Sequence, residues 1–268
     1  MGGLVAARTT ATRRAAVAAA VAAAAWMGVA CCRAQAAREV HVLAAADLQP
    51  VMPALEAAFE KAKGIKLTVS FGSSATLATQ ILNGAPADIF LAADESFPHR
   101  IVAAGLADSP APIPYARGTL VLWARKDSRS APVTLATLRE GRFQSLAIAN
   151  PEHAPYGRAA VAALKSMGLY DSLKPKLVQA ENIAQTAQFV ESGNAQLGLI
   201  SLTSASTAHM KEIGSYVRMP ADSYPALRQA AVVMKKGANA GDAHIFLDWL
   251  TSPAVQKTLP QYGLDPAE

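Results

Sequence analysis

Two adjacent serines, Ser73 and Ser74, stand between a predicted strand and a predicted helix in the segment 71–76. The first turn of a helix has backbone N–H groups without intrahelical partners, and the helix dipole places partial positive charge there. Serine hydroxyls beside such N–H groups form a neutral cradle that can bind an anion. Taken alone, this junction is explained more simply by Ser74 acting as the N-cap of its helix.

Three further strand-to-helix junctions have the same character, and their key residues are Ala46 with Asp47, Tyr156, and Ile183. The one basic residue at these junctions is Arg158, just inside the third helix. If the four helix N-termini converge on one cleft, dipoles and neutral donors would hold an anion there. Selection would then depend on the geometry and size of the anion more than on its charge.

The sequence contains no familiar catalytic signature. The five histidines are scattered, and we find no HExxH, no G-x-S-x-G, no P-loop and no G-x-G-x-x-G after a strand. Glu152 and His153, in the loop 150–155, are the one pair that would fit acid–base catalysis. A turn with solvated polar side chains is the favoured interpretation of that loop. We therefore predict a protein that is not an enzyme, and a periplasmic enzyme using Glu152 and His153 stays an alternative.

Short β-branched runs alternate with helical patterns, which predicts parallel strands with helices on both faces. Strands are expected at 40–43, 67–70, 88–92, 119–124, 145–149, 197–200 and 230–234. Helices are expected around Leu55, Phe59 and Ala62, at 75–82, around Val161, Leu164 and Met167, at 183–192, around Ile245, Phe246, Trp249 and Leu250, and from Ser252 onward. Asp88 is expected to cap or to hydrogen-bond locally. Two α/β units without a long polar linker predict two lobes with a ligand cleft between them.

The charge of the chain is concentrated at its N-terminus. The formal net charge is +5 over 268 residues, and residues 1–36 contain four arginines and no acidic residue. The remainder carries 21 basic and 20 acidic residues, a net charge of +1. Such a balance gives no electrostatic reason to expect nucleic acid as a partner.

Residues 1–36 have the layout of a secretory signal peptide, with a basic region ending at Arg14, an Ala-rich stretch over 15–30 and a small-x-small pattern ending at Ala36. Cleavage after Ala36 would place the mature chain in the periplasm. A membrane anchor is an alternative, although Leu, Ile and Phe are absent from the apolar stretch. Both cysteines, Cys31 and Cys32, lie in this leader. A lipoprotein acylated at Cys31 is a less favoured alternative, and a mature chain starting after Ala36 would have no disulfide.

At the same four junctions the sequence resembles the periplasmic molybdate-binding proteins of ABC importers. The resemblance extends over about residues 39–266, and its most specific motifs are 42–46, 70–74, 83–94, 149–157 and 261–263. It implies an α/β, two-lobed type II periplasmic-binding-protein fold, in which each lobe is a mainly parallel sheet flanked by helices and the ligand cleft lies between the lobes. After the signal peptide 1–36, lobe 1 would comprise 37–118 plus 226–268, and lobe 2 would comprise 119–225.

The resemblance implies the substrate-binding component of an ABC transporter, which captures molybdate or tungstate and delivers it to a permease in the inner membrane. The implied oxyanion-binding residues are Ala46, Asp47, Ser73, Ser74, Tyr156 and Ile183. Ala46, Tyr156 and Ile183 would act mainly through their N–H groups, and Ser74 through both O–H and N–H. No cofactor and no direct cation ligand is implied, since molybdenum would bind as the oxyanion, and a monomer is expected.

The sequence departs from the family pattern at Asp47, where relatives commonly have Ser or Asn, and at Ser201, where many have Tyr. A carboxylate beside a dianion is repulsive by roughly 1–4 kcal/mol per charge pair. Asp47 would therefore cap its own helix and offer only its amide, or be protonated on binding, or face a ligand of lower charge. Another anion, such as sulfate or a small carboxylate, stays possible for this reason. The Tyr156 side chain is a candidate to substitute for the missing tyrosine. A DNA-binding regulator is disfavoured because a leader occupies the place of a helix-turn-helix.

Overall fold

The computed structural model of the protein describes residues 38–267, which contain eleven strands and eleven α-helices. In chain order the strands are β1 (Glu39–Ala45), β2 (Lys66–Gly72), β3 (Ile89–Ala92), β4 (Ile113–Gly118), β5 (Leu120–Arg125), β6 (Leu146–Ala149), β7 (Leu177–Ala180), β8 (Leu197–Ser201), β9 (Gly214–Arg218), β10 (Leu227–Val233) and β11 (Asp265–Pro266). All seven predicted strands are present, whereas β4, β7, β9 and β11 were not expected from the sequence.

The helices are α1 (Met52–Lys63), α2 (Ser74–Leu82), α3 (Ser96–Ala103), α4 (Leu135–Glu140), α5 (Pro155–Ser166), α6 (Tyr170–Leu173), α7 (Ile183–Glu191), α8 (Leu202–Ala205), α9 (Ala208–Ile213), α10 (Ala240–Thr251) and α11 (Pro253–Gln256). Short 3-10 turns occur at Ala46–Leu48, Lys174–Lys176, Ala221–Ser223 and Leu259–Tyr262. Among the described residues, no helix is long and apolar enough to cross a membrane.

Two sheets form the framework of the described chain. The first sheet has six strands in the order β11-β4-β10-β3-β1-β2, and the second has five in the order β7-β6-β8-β5-β9. In the first sheet β1 pairs in parallel with β2 and β3, and in the second β6 pairs in parallel with β7 and β8. Helices pack on these sheets, so the predicted α/β class with two helix-flanked sheets is confirmed.

The strand directions differ from the expected mainly parallel sheets, because both sheets are mixed. β10 is antiparallel to β3 and β4, and β5 is antiparallel to β8 and β9. The reason lies in the connections: β4 runs through Gly118 and Thr119 directly into β5, and the chain later returns to the first sheet as β10. A strand that leaves one sheet and a strand that returns to it point in opposite directions.

The central strands β3, β6 and β8 are buried on both faces, which explains the continuous apolar runs in the sequence. In β3, Ile89 and Leu91 pack with α1 and α10, while Phe90 and Ala92 pack with α2 and α3. The second sheet divides its residues in the same way: Leu146 faces α5 and its neighbours, and Ala147 faces α7, α8 and α9.

Two local expectations about helices need correction. In α1 the buried side chains are Met52, Leu55 and Phe59, whereas Ala62 is exposed, because the helix contacts the sheet along a narrower stripe than predicted. Asp88 does not bond locally. It accepts hydrogen bonds from the N–H of His41 at 2.8 Å and of Asn239 at 2.7 Å, and so joins β1 to the segment before α10.

The predicted signal peptide 1–36, its cleavage after Ala36 and lipidation at Cys31 concern residues outside the described part of the chain. The division into 37–118 plus 226–268 and 119–225 stays a prediction. The first sheet draws on residues 39–118 and 227–266, and the second on residues 120–218.

Candidate functional site

The four predicted junctions line one small cavity between the two sheets. Its lining residues are Ala45, Ala46, Asp47, Gly72, Ser73, Ser74, Ala93, Ala154, Pro155, Tyr156, Asn182 and Ile183. The cavity has an internal volume of about 10 Å³. Pockets for drug-sized ligands measure roughly 300–1,000 Å³, so in this arrangement the cavity suits only a very small ligand. All six predicted site residues are therefore brought together, from both sheets.

The N-terminus of α2 supplies hydroxyl groups from two serines with different roles. Ser73 is the N-cap, and its Oγ accepts the N–H of Thr76 at 3.2 Å. Ser74 is the first helical residue, so the interpretation of Ser74 as N-cap is wrong by one position. The Oγ of Ser74 accepts the N–H of Ala93 at 3.1 Å. Ser74 Oγ is the acceptor in this bond, so its own hydroxyl hydrogen is left to donate to another group.

The N-terminus of α5 reaches the cavity without a side-chain cap. The N-cap is Ala154 and the first helical residue is Pro155, so the N–H of Tyr156 lies at an uncapped helix end. Gly157 allows this helix to approach the end of β6, because a Cβ at Gly157 would lie 2.3 Å from the carbonyl oxygen of Ala149. Only glycine leaves the Tyr156 N–H at this depth.

The N-terminus of α7 is capped by reciprocal hydrogen bonds. Asn182 Oδ1 accepts the N–H of Gln185 at 3.0 Å, and Gln185 Oε1 accepts the N–H of Glu181 at 2.7 Å. Ile183, the first helical residue, is buried and follows the cap directly. These bonds satisfy the N–H groups of Glu181 and Gln185. The N–H of Ile183 lies in the first turn of the helix, where backbone N–H groups have no intrahelical partner.

Asp47 lies in the 3-10 turn Ala46–Leu48, and its side chain is completely buried. Its Oδ2 accepts hydrogen bonds from Gln229 Nε2 at 2.5 Å and from the Tyr156 hydroxyl at 3.2 Å. The expectation that Asp47 caps its own helix is wrong. The 3-10 turn has Ala45 as its N-cap and the next α-helix begins at Met52, and neither has a side-chain cap hydrogen bond.

Burial changes the acidity of Asp47. Loss of solvation raises its pKa from the ordinary value of 3.8 to about 7, although hydrogen bonds from Gln229, from Tyr156 and from its own backbone act in the opposite direction. Its second oxygen, Oδ1, is buried without a hydrogen-bond partner, as is Gln229 Oε1. The pKa of the Tyr115 and Tyr156 hydroxyls is raised by burial and by the Asp47 charge.

Two residues that hydrogen-bond to Asp47 were not identified from the sequence. Gln229 is a fully buried polar residue inside an otherwise apolar strand, and that pattern is a signal that such a side chain has a partner. Thr203 donates its hydroxyl to the carbonyl oxygen of Asp47 at 2.7 Å, and its Oγ1 lies 2.8 Å from Ser201 Oγ. Ser201 is the N-cap of α8 and is not in the cavity lining.

Residues next to the cavity lining in sequence join the two sides of the cavity. The N–H of Ala75 in α2 donates to the carbonyl oxygen of His153 at 3.2 Å. Arg158 in α5 forms an ion pair of 2.7 Å with Asp94, which follows β3, and lies over the Phe97 ring at 5.1 Å. The one basic residue of the four junctions is therefore bound to a carboxylate and an aromatic ring.

The loop around Glu152 and His153 is built as a turn. Asn150 Oδ1 accepts the N–H of Glu152, and the Asn150 carbonyl accepts the N–H groups of His153 and Ala154. Glu152 is exposed. This geometry agrees with the favoured interpretation of the loop as a turn with solvated polar side chains. Within residues 38–267 no group of three or more His, Cys, Asp or Glu side chains is placed to hold a metal ion.

Residues 40–265 match the family of bacterial extracellular solute-binding proteins. A molybdate-binding protein of Azotobacter vinelandii is 39% identical over 88% of this chain and 93% of its own length. A molybdate-binding protein of Rhodobacter capsulatus is 36% identical over 85% of this chain and 88% of its own length. The structure of a periplasmic molybdate-binding protein from Azotobacter vinelandii superposes with a TM-score of 0.78 and 31% identity, covering 85% of this chain and all of that one.

Proposed function

The chain belongs to the molybdate-binding members of the bacterial extracellular solute-binding proteins, and from this premise we propose that it captures molybdate and delivers it to an ABC importer. The periplasm is its place of action, as for the similar Azotobacter protein. Tungstate, which shares the tetrahedral oxyanion chemistry, is proposed as a second ligand. The chain acts as a monomer, needs no cofactor and carries no catalytic activity of its own.

One observation carries this proposal: the N-termini of α2, α5 and α7 and the 3-10 turn after β1 line the same cavity. No lysine or arginine is among the lining residues. An anion in this cavity would be held by N–H groups, hydroxyls and helix dipoles. A rigid set of neutral donors selects an anion by the positions of its oxygen atoms.

The ligand set that we propose consists of Ala46, Asp47, Ser73, Ser74, Tyr156 and Ile183. The N–H groups of Ala46, Tyr156 and Ile183 donate to the oxyanion. Ser74 donates through its N–H and through the hydroxyl hydrogen that the Ala93 contact leaves available. Ser73 sits beside it and fixes the first turn of α2. Donors from both sheets then surround the ligand, so binding favours the closed arrangement of the two lobes.

Delivery requires the two lobes to separate. The contacts that join the two sides include the Ala75–His153 hydrogen bond, the Arg158–Asp94 ion pair and the hydrogen bonds of Asp47 with Tyr156 and Thr203. We propose that a permease in the inner membrane recognises the closed form and opens it. The leader 1–36 is proposed to be removed after Ala36, and the mass of the exported protein would distinguish this from acylation at Cys31.

Calorimetric titration of the chain from Ala37 onward with molybdate, tungstate, sulfate and phosphate at neutral pH tests the proposal. We expect tight binding of molybdate and tungstate and none of sulfate or phosphate. Binding of sulfate alone would replace the ligand and keep the transport role. Absence of binding to all four anions would refute the proposal. If His153→Ala retains molybdate binding and its turnover does not differ from that of the wild type, the enzyme alternative is removed.

A further inference from the structure

The two oxygens of the Asp47 carboxyl have different surroundings. Oδ2 accepts two hydrogen bonds, from Gln229 Nε2 and from the Tyr156 hydroxyl, whereas Oδ1 is buried and has no hydrogen-bond partner. Asp47 belongs to the lining of the cavity. A buried oxygen without a partner is costly and calls for an explanation.

Among residues 38–267, no positively charged side chain contributes to the pKa of Asp47. The charge of Asp47 acts on the pKa of two hydroxyls, those of Tyr115 in β4 and Tyr156 in α5. Both hydroxyls are neutral because their pKa is raised above the ordinary value. Arg158, at the nearest helix N-terminus, is paired with Asp94. An ionised Asp47 beside a bound anion would place two like charges in one small, dry cavity.

A protonated Asp47 removes this conflict. With the proton on Oδ1, the carbonyl oxygen Oδ2 still accepts from Gln229 and Tyr156, while Oδ1–H needs an acceptor. An oxyanion consists entirely of acceptors. We infer that Asp47 binds the oxyanion as a neutral carboxylic acid that donates from Oδ1, so that ligand capture takes up a proton from solvent. This inference rests on the proposed function and specifies the protonation state of Asp47 when the anion is bound.

The proton balance is simple. The ionised Asp47 carboxylate, one proton from the buffer and the free oxyanion give the complex in which the Oδ1–H bond has formed and no covalent bond has broken. Without ligand the pKa of Asp47 is about 7, and a bound anion raises it further because like charges disfavour ionisation. Proton uptake per ligand is then about one half near neutral pH and approaches one at higher pH. Affinity falls by up to about tenfold per pH unit above neutrality.

The test is calorimetric titration with molybdate between about pH 6 and about pH 9, in pairs of buffers with different protonation enthalpies. The buffer dependence of the heat counts the protons taken up. The wild-type chain is compared with Asp47→Asn, whose amide oxygen can accept from Gln229 and Tyr156 and whose NH₂ donates at every pH. We expect Asp47→Asn to bind molybdate with no proton uptake and with a flat pH profile.

Asp265→Asn serves as a control, because Asp265 contacts Thr119 outside the cavity, and we expect it to keep the wild-type proton uptake. A difference infrared spectrum on molybdate addition supplies a second readout: the C=O stretch of a protonated carboxyl appears in the wild type and is missing in Asp47→Asn. Tight wild-type binding without proton uptake overturns the inference and leaves the proposed function intact. Absence of molybdate binding at every pH overturns both.

Discussion

The hydroxyl of Tyr156 lies 3.2 Å from Oδ2 of Asp47, and this hydrogen bond joins a helix that follows the second sheet to a turn that follows the first. Both residues also line the ligand cavity. A change in the charge of Asp47 therefore acts on the ligand and on a contact between the two sides of the cleft at the same time.

Replacing Tyr156 with Phe keeps the backbone N–H and the ring but removes the donor to Asp47. The ionised carboxylate loses one of its two hydrogen bonds from side chains, and a bond to a charged group contributes about 1.5–3 kcal/mol. We expect the midpoint of the pH dependence of molybdate affinity to rise by about one pH unit or more. Tyr216→Phe, at an exposed position of β9, is the control. An unshifted midpoint in Tyr156→Phe would contradict the role of this bond.

The stability of the ligand-free chain is expected to fall as pH rises from about 4 to about 7. Asp47 has a pKa of about 7 when folded and an ordinary value of 3.8 when exposed, so the folded state binds more protons between these limits. The stabilisation is complete below the lower value and is lost as pH rises through the upper one. The difference corresponds to at most roughly 4 kcal/mol. Urea unfolding at several pH values should show a smaller decline for Asp47→Asn, and equal slopes would contradict the assignment.

Gly118→Ala is expected to disturb the site by displacing the side chains that donate hydrogen bonds to Asp47. A Cβ there would lie 2.2 Å from the Tyr156 hydroxyl and 3.0 Å from Gln229 Nε2. Both donors to Asp47 would have to move, so we expect molybdate affinity to fall at least about tenfold and stability to fall by about 1–3 kcal/mol. Gly241→Ala is the matched control, since its Cβ meets nothing within 4 Å inside α10. Wild-type affinity in Gly118→Ala would refute this packing argument.

The two serines at the start of α2 should differ in their effect on molybdate affinity. Ser74→Ala removes the hydroxyl that we propose as a donor to the ligand, together with the acceptor of the Ala93 N–H, and we expect the Kd for molybdate to rise about tenfold. Ser73→Ala removes the N-cap, and we expect it to lower stability by about 1 kcal/mol with a smaller effect on Kd. Calorimetry and thermal unfolding on both variants decide the matter. If Ser73→Ala weakened binding more than Ser74→Ala, the assignment of roles would be reversed.

Arg158→Ala is expected to speed ligand release. The ion pair with Asp94 and the contact with the Phe97 ring join residues that follow different sheets, so they stabilise the closed form. Both are partly exposed, and together they contribute about 1 kcal/mol, which corresponds to a Kd increase of about three- to tenfold. Stopped-flow release of molybdate measures the rate. Arg38→Ala is the control, because its partner Asp242 lies on the same side of the cleft, and an equal effect there would remove the explanation.

The four junctions could be predicted from the sequence because strand-to-helix boundaries are local. A β-branched run followed by Ser73 and Ser74, or by Pro155 and Tyr156, specifies a helix start without knowledge of the rest of the fold. The N-cap was predicted at Ser74 and is Ser73, because either of two adjacent serine hydroxyls can serve as the cap. The family resemblance then added that these starts share one cleft.

The surroundings of Asp47 could not be predicted in the same way. Gln229 and Thr203 contact it from 182 and 156 positions away along the chain. No periodicity indicates which polar residue of a distant strand faces which turn. The sequence showed that a carboxyl stands at the first junction, but its protonation depends on a desolvated environment that only the folded chain creates.

β10 lies between β3 and β4, although residues 227–233 come after every strand of the second sheet. β3 and β4 have no strand to join them until residues 227–233 are available to the folding chain. All strands of the second sheet, the last of which ends at Arg218, precede that segment. The first sheet therefore cannot close until the chain that forms the second sheet has been supplied, and the edges of β3 and β4 that face β10 stay unpaired until then.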